Sequence, residues 1–346
     1  MTGKERVIAA VRRKPYDRVP RWFWVGKGAN DNLCAKYGLT PDQVDDFVGN
    51  DVKQCWLTIN GQMERPWPEG ESFVDEFGIT WKRDGYYNMV TKHPMADLEA
   101  DQIAAYPLPD PLIESRYEEF EAMKAKFGET HLIGADVSGS LFEPAYHLRG
   151  MDNILVDLAL ESDEATILLD RLCDFSSGIA CEAARRGADW IWLGDDQGTQ
   201  IATIMAPDTW RQWFKPRMKK IIDAVHEIKP DMIIAYHSCG AIFPIIGDLA
   251  EVGVNVLNPL QESATGMNHE EIKATFGDEL TFLCGLDTQS IMVDASPEEL
   301  KAAMKEKTAM LSAGGGYIAG VSHTLQHDIP AENIKAVIDA LDEMAQ

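Results

Sequence analysis

The sequence contains no run of about 18 uninterrupted apolar residues, the length a bilayer span requires. Nor does a short apolar core follow Met1-Thr2-Gly3-Lys4-Glu5-Arg6, so a secretion signal is not expected and a cytoplasmic location is. Cysteine is scarce. Cys34, Cys55, Cys173, Cys181, Cys239 and Cys284 are spread over 346 residues, far too thinly for the disulfide framework of a small secreted domain. Reduced thiols are the expectation, most of them buried as small hydrophobes. Positive charge is also short: 32 Lys and Arg face 56 Asp and Glu, a formal charge of −24. Such a surface repels phosphates, which argues against nucleic acid or an anionic membrane as partner. A cationic protein partner remains open, as does plain solubility. No internal repeat, low-complexity tract or linker divides the chain, so residues 1–346 read as one domain.

What the sequence does have is an alternation of short apolar runs with longer helical patterns. The runs number eight: 21–25, 52–59, 131–137, 189–193, 232–236, 254–257, 280–283 and 317–321. They show little polar alternation, as parallel strands covered on both faces do. Pro207 opens a helix that should run to about Glu227. Ser296-Pro297 opens another, with Ser296 as N-cap, and Pro330 precedes the last. Eight strands alternating with helices predict an α/β fold, a (β/α)8 TIM barrel with an N-terminal extension. An open doubly wound sheet is the competitor. It usually carries a Gly-rich fingerprint after its first strand, and Gly26-Lys27-Gly28-Ala29-Asn30 is a poor version of one. Residues 60–110 read as an insertion after the second strand, with a small β-hairpin around 73–81.

In a barrel the chemistry sits where strands end, and here the exits are polar. The third strand leads to Asp136 and Glu143, and the fourth to Asp195, Asp196 and Gln200. Tyr236-His237-Ser238-Cys239-Gly240 follows the fifth. The sixth gives Asn258 and Gln261, the seventh Cys284, Asp287 and Gln289, the eighth His323 and Gln326. His237 and Cys239 are two apart, so at an extended strand end both side chains point the same way. An imidazole and a thiolate together suit zinc, which keeps a position open for substrate when the protein supplies three ligands. The competing reading is a hydrogen-bonded histidine beside a buried thiol. A third ligand from another strand end would decide for the metal, and Cys284 and His323 are the candidates. Asp195 and Asp196 could orient a ligand, act on substrate, or cap a helix. Trp22, Trp24, Trp190 and Trp192 read as core rather than as a substrate wall. His147, His226, His269 and His327 read as structural or solvated.

These residues resemble the uroporphyrinogen decarboxylase superfamily, and within it the corrinoid-dependent zinc methyltransferases. The resemblance runs from Tyr16-Asp17-Arg18-Val19-Pro20 through Gly194-Asp195-Asp196 and His237-Ser238-Cys239-Gly240. It ends in Gly314-Gly315-Gly316-Tyr317-Ile318-Ala319, the histidine loop and Asp328-Ile329-Pro330-Ala331-Glu332-Asn333. True decarboxylases of the superfamily carry Arg-Gln-Ala-Gly-Arg after the first strand. Val25-Gly26-Lys27-Gly28-Ala29-Asn30 lacks those arginines and their charge-assisted grip on carboxylates. The thiol-methylating members pair His-x-Cys with a second cysteine in the last strand loop. Here His323 stands in its place, so the resemblance implies His237, Cys239 and His323 as zinc ligands, with Cys284 in reserve. It also implies a partner protein carrying a corrinoid, whose cobalt takes a methyl group from a small methylated compound, a methoxylated aromatic being one candidate, or in the alternative gives one to a thiol or to tetrahydrofolate. Asp195, Asp196 and Glu143 are then the catalytic candidates. Asp136, Gln200, Asn258, Gln261, Asp287, Gln289 and Gln326 are the substrate-binding candidates. A metal-free decarboxylase or lyase on the same fold is the alternative activity.

Overall fold

A computed structural model describes residues 1–58, 70–85 and 87–345. Seven of the eight apolar runs form one parallel sheet in sequential order: β1 (Val52–Trp56), β5 (Leu132–Asp136), β6 (Trp190–Gly194), β7 (Ile233–His237), β8 (Val256–Asn258), β9 (Thr281–Leu286) and β10 (Tyr317–Val321). The expected strand end at Ile59 lies outside the described residues. The remaining strands, β2 (Ser72–Val74), β3 (Thr80–Asp84) and β4 (Tyr87–Lys92), form a separate antiparallel sheet. The hairpin expected around 73–81 is therefore three-stranded. Its third strand was obscured because Tyr87–Lys92 is mostly exposed and shows no clean apolar alternation.

Strand alternation sorts the side chains into two cores. Val52, Leu132, Trp190, Trp192, Ile233, Ala235, Val256, Leu283 and Ile318 pack together with Val7 from the N-terminal helix Gly3–Val11. Their sequence neighbours Ile191, Leu193, Ile234, Tyr236, Leu257, Phe282, Cys284, Tyr317 and Ala319 face the opposite way, into the larger core beneath the helices. With a period of two, the last residues of three strands inherit the inner face: Asp136, His237 and Asn258.

The first apolar run does not become a regular strand. Residues 21–25 touch the β10 side through bridges from Arg21 to Ala319 and from Val25 to Leu325. On the β1 side one backbone bond is made, Asp51 N to Arg21 O at 2.9 Å. The Asn50 side chain then stands in for the ladder: its Oδ1 accepts from Phe23 N at 2.7 Å and its Nδ2 donates to Phe23 O at 2.9 Å. One further expectation needs correction. The helix from Pro207 breaks into Pro207–Trp213 and Lys215–Ile228. Pro216 has no N–H to carry the ladder back to Gln212, and proline is tolerated in the first turn of a helix, so it sits at the second position of a new helix rather than continuing the old one. Ser296 caps the helix Pro297–Ser312 as expected, in a capping box with Glu299.

Asp51 ties the N-terminal segment to the sheet. It is 2 % exposed and receives Arg6 Nη1 at 2.6 Å, Arg18 Nη1 at 2.8 Å and the Arg21 backbone N–H at 2.9 Å. Removing one member of a buried charge cluster leaves the others uncompensated, at a cost of about 3–5 kcal/mol. Asp51→Ala should lower unfolding stability by that amount in urea denaturation, with an unchanged denaturant slope.

The small sheet is anchored through His147, whose ring meets Trp81 edge-on with centroids 5.1 Å apart. Burial pulls this imidazole down from 6.5 to about 3. The folded protein keeps it neutral, whereas the unfolded chain takes up a proton below 6.5. Its contribution is therefore intact above pH 6.5 and is lost as pH falls below that value. Between pH 7 and pH 5 this one residue should cost about 2 kcal/mol. His147→Phe should flatten that part of the stability profile, measured by chemical denaturation at each pH.

Candidate functional site

His237 ends β7 on the inner face, and Asn258 is its register partner on β8. His237 Nδ1 lies 2.7 Å from Asn258 Oδ1. Asn258 Nδ2 donates to Leu283 O at 2.8 Å, and this sets the amide orientation. The Asn258 oxygen can only accept, so Nδ1 of His237 carries the proton and Nε2 presents a lone pair. Gly194 makes room for this arrangement, because a Cβ there would sit 2.9 Å from the His237 Cβ.

Cys239 Sγ lies 3.5 Å from His237 Nε2. The imidazole of His323 meets that of His237 at a centroid distance of 5.7 Å. One donor atom from each of His237, Cys239 and His323 lies within 4.8 Å of the other two, and among the described residues no other three metal-ligating side chains converge in this way. Zinc bonds of about 2.3 Å to sulfur and about 2.0–2.1 Å to nitrogen place tetrahedral donors roughly 3.6 Å apart. The Sγ–Nε2 distance fits that, and the donor chemistry suits zinc. Cys284 does not join. It points into the outer core, and burial pushes its thiol far up.

Electrostatics around the three groups favour a cation. Burial, then Asp196, then Glu143 push the Cys239 thiol well above its ordinary range. Burial and the neighbouring His237 pull His323 down to about 4. Without an ion, the trio is a protonated thiol beside a neutral His323. A bound cation is what would stabilise the thiolate.

His237 and His323 border a cavity of about 440 Å³ that Trp24, Trp56, Trp192, Glu143, Asp196 and Gln326 help to line, while Cys239 borders a neighbouring one. Trp24 lies nearly parallel to His323, with centroids 6.3 Å apart. Of the four tryptophans expected in the core, Trp190 and Trp192 belong to the inner core and Trp22 packs against it, whereas Trp24 borders the cavity, which the buried Trp192 also helps to line. Asp196 Oδ1 accepts from Cys239 N at 2.8 Å and lies 3.6 Å from His237 Nε2. Asp195, next to it, points away. Its carboxylate is buried and accepts from Leu141 N and Glu143 N, which caps the helix Phe142–Arg149.

The remaining candidates fall into three places. Gln200, Gln261, Gln289 and Gln326 line a second cavity of about 590 Å³ that shares His323 with the first. Gln261 Oε1 also accepts from Gly240 N at 2.8 Å, holding the turn after Cys239. Asp136 lies deeper, where its carboxylate takes Gln54 Nε2 at 2.6 Å and Ser138 N at 2.9 Å. Asp287 is engaged by Ser263, Ser290 and Ser322, away from the trio's cavity. His327, read as structural or solvated, lines both cavities. Trp56 was not singled out from the sequence. Inner-face parity along β1, counted from Val52, would have found it.

The uroporphyrinogen decarboxylase (URO-D) family profile matches residues 79–344. The chain belongs to that family. Among curated relatives, it is 25 % identical to the methylcobamide:CoM methyltransferase MtbA of Methanosarcina mazei, over 98 % of this chain and 97 % of that one. It is 27 % identical to MtaA of Methanosarcina barkeri, with 99 % and 98 % covered. A uroporphyrinogen decarboxylase of Actinobacillus succinogenes is 22 % identical, with 99 % and 97 % covered. A solved methyltransferase structure from Methanosarcina mazei superposes with a TM-score of 0.73 at 20 % identity, covering 99 % of both chains. The fold shared with that structure extends over essentially the whole length.

Within this member of the family, Asn258 acts on His237 from behind. Loss of such a partner commonly weakens metal affinity 10- to 100-fold. If the trio holds zinc, Asn258→Ala should weaken its binding by roughly that factor in competition with a chromophoric chelator, with little change in the far-UV circular dichroism spectrum.

Proposed function

We propose that this protein is a zinc-dependent methyltransferase that passes a methyl group from a small methylated compound to the cobalt of a separate corrinoid protein. The observation that carries this reading is the convergence of His237, Cys239 and His323, two of which border a tryptophan-lined cavity. In this reading residues 21–25 complete a (β/α)8 barrel, and the corrinoid protein docks over the strand C-termini. Relatives named as methylcobamide:CoM methyltransferases support the corrinoid partner.

His237, Cys239 and His323 would hold the zinc, which when bound supplies Lewis acidity at the oxygen or nitrogen that carries the methyl group. Two neutral imidazoles and one thiolate leave about one formal positive charge on such a centre, where a second thiolate would cancel it. Asn258 holds the ligating face of His237 toward the cavity. Loss of a methyl group from oxygen or nitrogen leaves an atom that needs a proton. Glu143 and Asp196 are the lining carboxyl groups able to pass one. Trp24, Trp56 and Trp192 exclude water and hold the apolar body of the donor.

A second reading runs the transfer the other way, from a methylated corrinoid to a thiol or to tetrahydrofolate. The names of the relatives favour it, and the replacement of the family's second cysteine by His323 weighs against it. Decarboxylation of a polyanion fits poorly. The stretch after residues 21–25 lines the cavity with Val25, Gly26, Lys27 and Gly28, and the Lys27 ammonium pairs with Asp31 at 2.6 Å.

Metal analysis of the purified protein should find about one zinc per chain, and His237→Ala combined with Cys239→Ala should abolish it. A screen of methyl donors against a reduced corrinoid protein, followed by cobalt absorbance, should then find one that changes the spectrum. Absence of zinc, or zinc retained in the double variant, sinks the metal-dependent reading. A spectrum that no donor alters sinks the proposed direction.

A further inference from the structure

The two imidazoles of the trio are held differently. His237 has Asn258 behind it. Among the described residues the His323 ring makes no hydrogen bond, and its ring contacts are with Trp24 and His237. Its direction therefore depends on where the backbone sets it down. The residue before it, Ser322, is buried and follows directly on β10. Its N–H donates to Leu286 O at 2.9 Å. Its Oγ accepts from Thr288 N at 2.9 Å, lies 3.1 Å from Thr288 Oγ1 and donates to Asp287 Oδ1 at 3.3 Å. A hydroxyl has one proton and two lone pairs, and with Thr288 Oγ1 as a second donor this arrangement uses all three. Asp287 gathers more than this one bond. Ser263, in the loop after β8, donates to Oδ1 at 3.2 Å, and Ser290, after β9, donates to Oδ2 at 2.7 Å. One buried carboxylate thus ties together the exits of β8, β9 and β10. It borders neither of the two cavities at the trio.

We propose that Asp287 is a positioning residue for His323, acting through the Ser322 hydroxyl. This rests on the metal reading of the trio and adds what fixes its third ligand. A carboxylate can only accept, so Asp287 sets the direction of the Ser322 proton and leaves the Ser322 lone pairs to Thr288. Ser322 is thereby clamped to the loop after β9. Three residues on, Leu325 N donates to Trp24 O at 2.8 Å. The short stretch that carries His323 is fixed at both ends, and its imidazole is laid against the Trp24 ring. Where a ligand imidazole has no hydrogen-bond partner of its own, the groups that fix its backbone take over the task that Asn258 performs for His237.

Two measurements on the full chain test this without requiring turnover. The variants are Asp287→Ala and Ser322→Ala. Ser263→Ala, which removes a different partner of the same carboxylate, is the control. Zinc affinity, by competition with a chromophoric chelator, should fall about tenfold in each of the first two and stay within about twofold in the control. Because both act along one path, the double variant Asp287→Ala with Ser322→Ala should be no weaker than the weaker single. Ser322→Ala carries the test alone if Asp287→Ala does not fold. In the metal-free protein, exchange of the imidazole C2 hydrogen with deuterium, read by mass spectrometry, should quicken several-fold at His323 and stay unchanged at His237. Unchanged zinc affinity in both variants, losses that add in the double variant, or an equal loss in the control overturns the proposal. So does exchange that quickens equally at both histidines or at neither. Wild-type protein that binds no zinc sinks the metal reading. The exchange measurement then decides the positioning role by itself: faster exchange confined to His323 upholds it, and any other pattern ends it.

Discussion

The site depends on a hydrogen bond between two neighbouring strand ends. His237 and Asn258 stand opposite each other because β7 and β8 are in parallel register, and the bond between them assigns the tautomer of the imidazole. Were β8 shifted by one residue, its polar end would turn from the inner face to the helical layer. His237 would then lose its partner, and the direction of its lone pair would be unspecified. The inner core beneath supports this register. Trp190, Trp192, Ile233 and Val256 pack directly below the site, so the placement of one hydrogen bond is backed by several buried side chains.

The same alternation decides which polar residues can do chemistry. Cys239 follows His237 by two and stays on its side, whereas Cys284 lies between Leu283, on the inner core, and Gly285, and faces the helices. Asp195 and Asp196 diverge likewise. One is consumed in capping the helix Phe142–Arg149, and the other stands beside Cys239. A buried thiol next to a carboxylate is expensive to ionise. A bound cation would lower that cost, and the three donor atoms lie within 4.8 Å of one another.

Much of this was legible in the residues. Periodicity located seven strands within a few positions, and the His-x-Cys spacing located two donors of the trio. What stayed hidden has physical reasons. The segment 21–25 looks like any apolar strand, and nothing in its composition shows that Asn50, 25 or more residues away, substitutes a side-chain amide for the ladder on one side. Pro216 was visible, yet the apolar spacing around it continues across the break. The two roles of Asn258, as acceptor for His237 and donor to Leu283, require neighbours on β7 and β9 that only the fold brings together. His323, 86 residues beyond His237 in the chain, was named as the third ligand from its place after the last strand and from the resemblance, and not from any local spacing.

The splayed seam between residues 21–25 and β1 follows from the same constraint that builds the site. A side-chain amide replaces one rung of the ladder, and among the described residues no backbone hydrogen bond continues it between 22–25 and 52–56. Above Asn50 large aromatic side chains line the gap. Trp24 and Trp56, with ring centroids 4.8 Å apart, line both this gap and the cavity beside His237 and His323. A regular eighth strand, hydrogen-bonded along its length on both sides, would have drawn the two segments to the usual spacing of about 4.8 Å and left no room there. The irregularity that kept residues 21–25 from being a strand thus creates the space beside the candidate metal site.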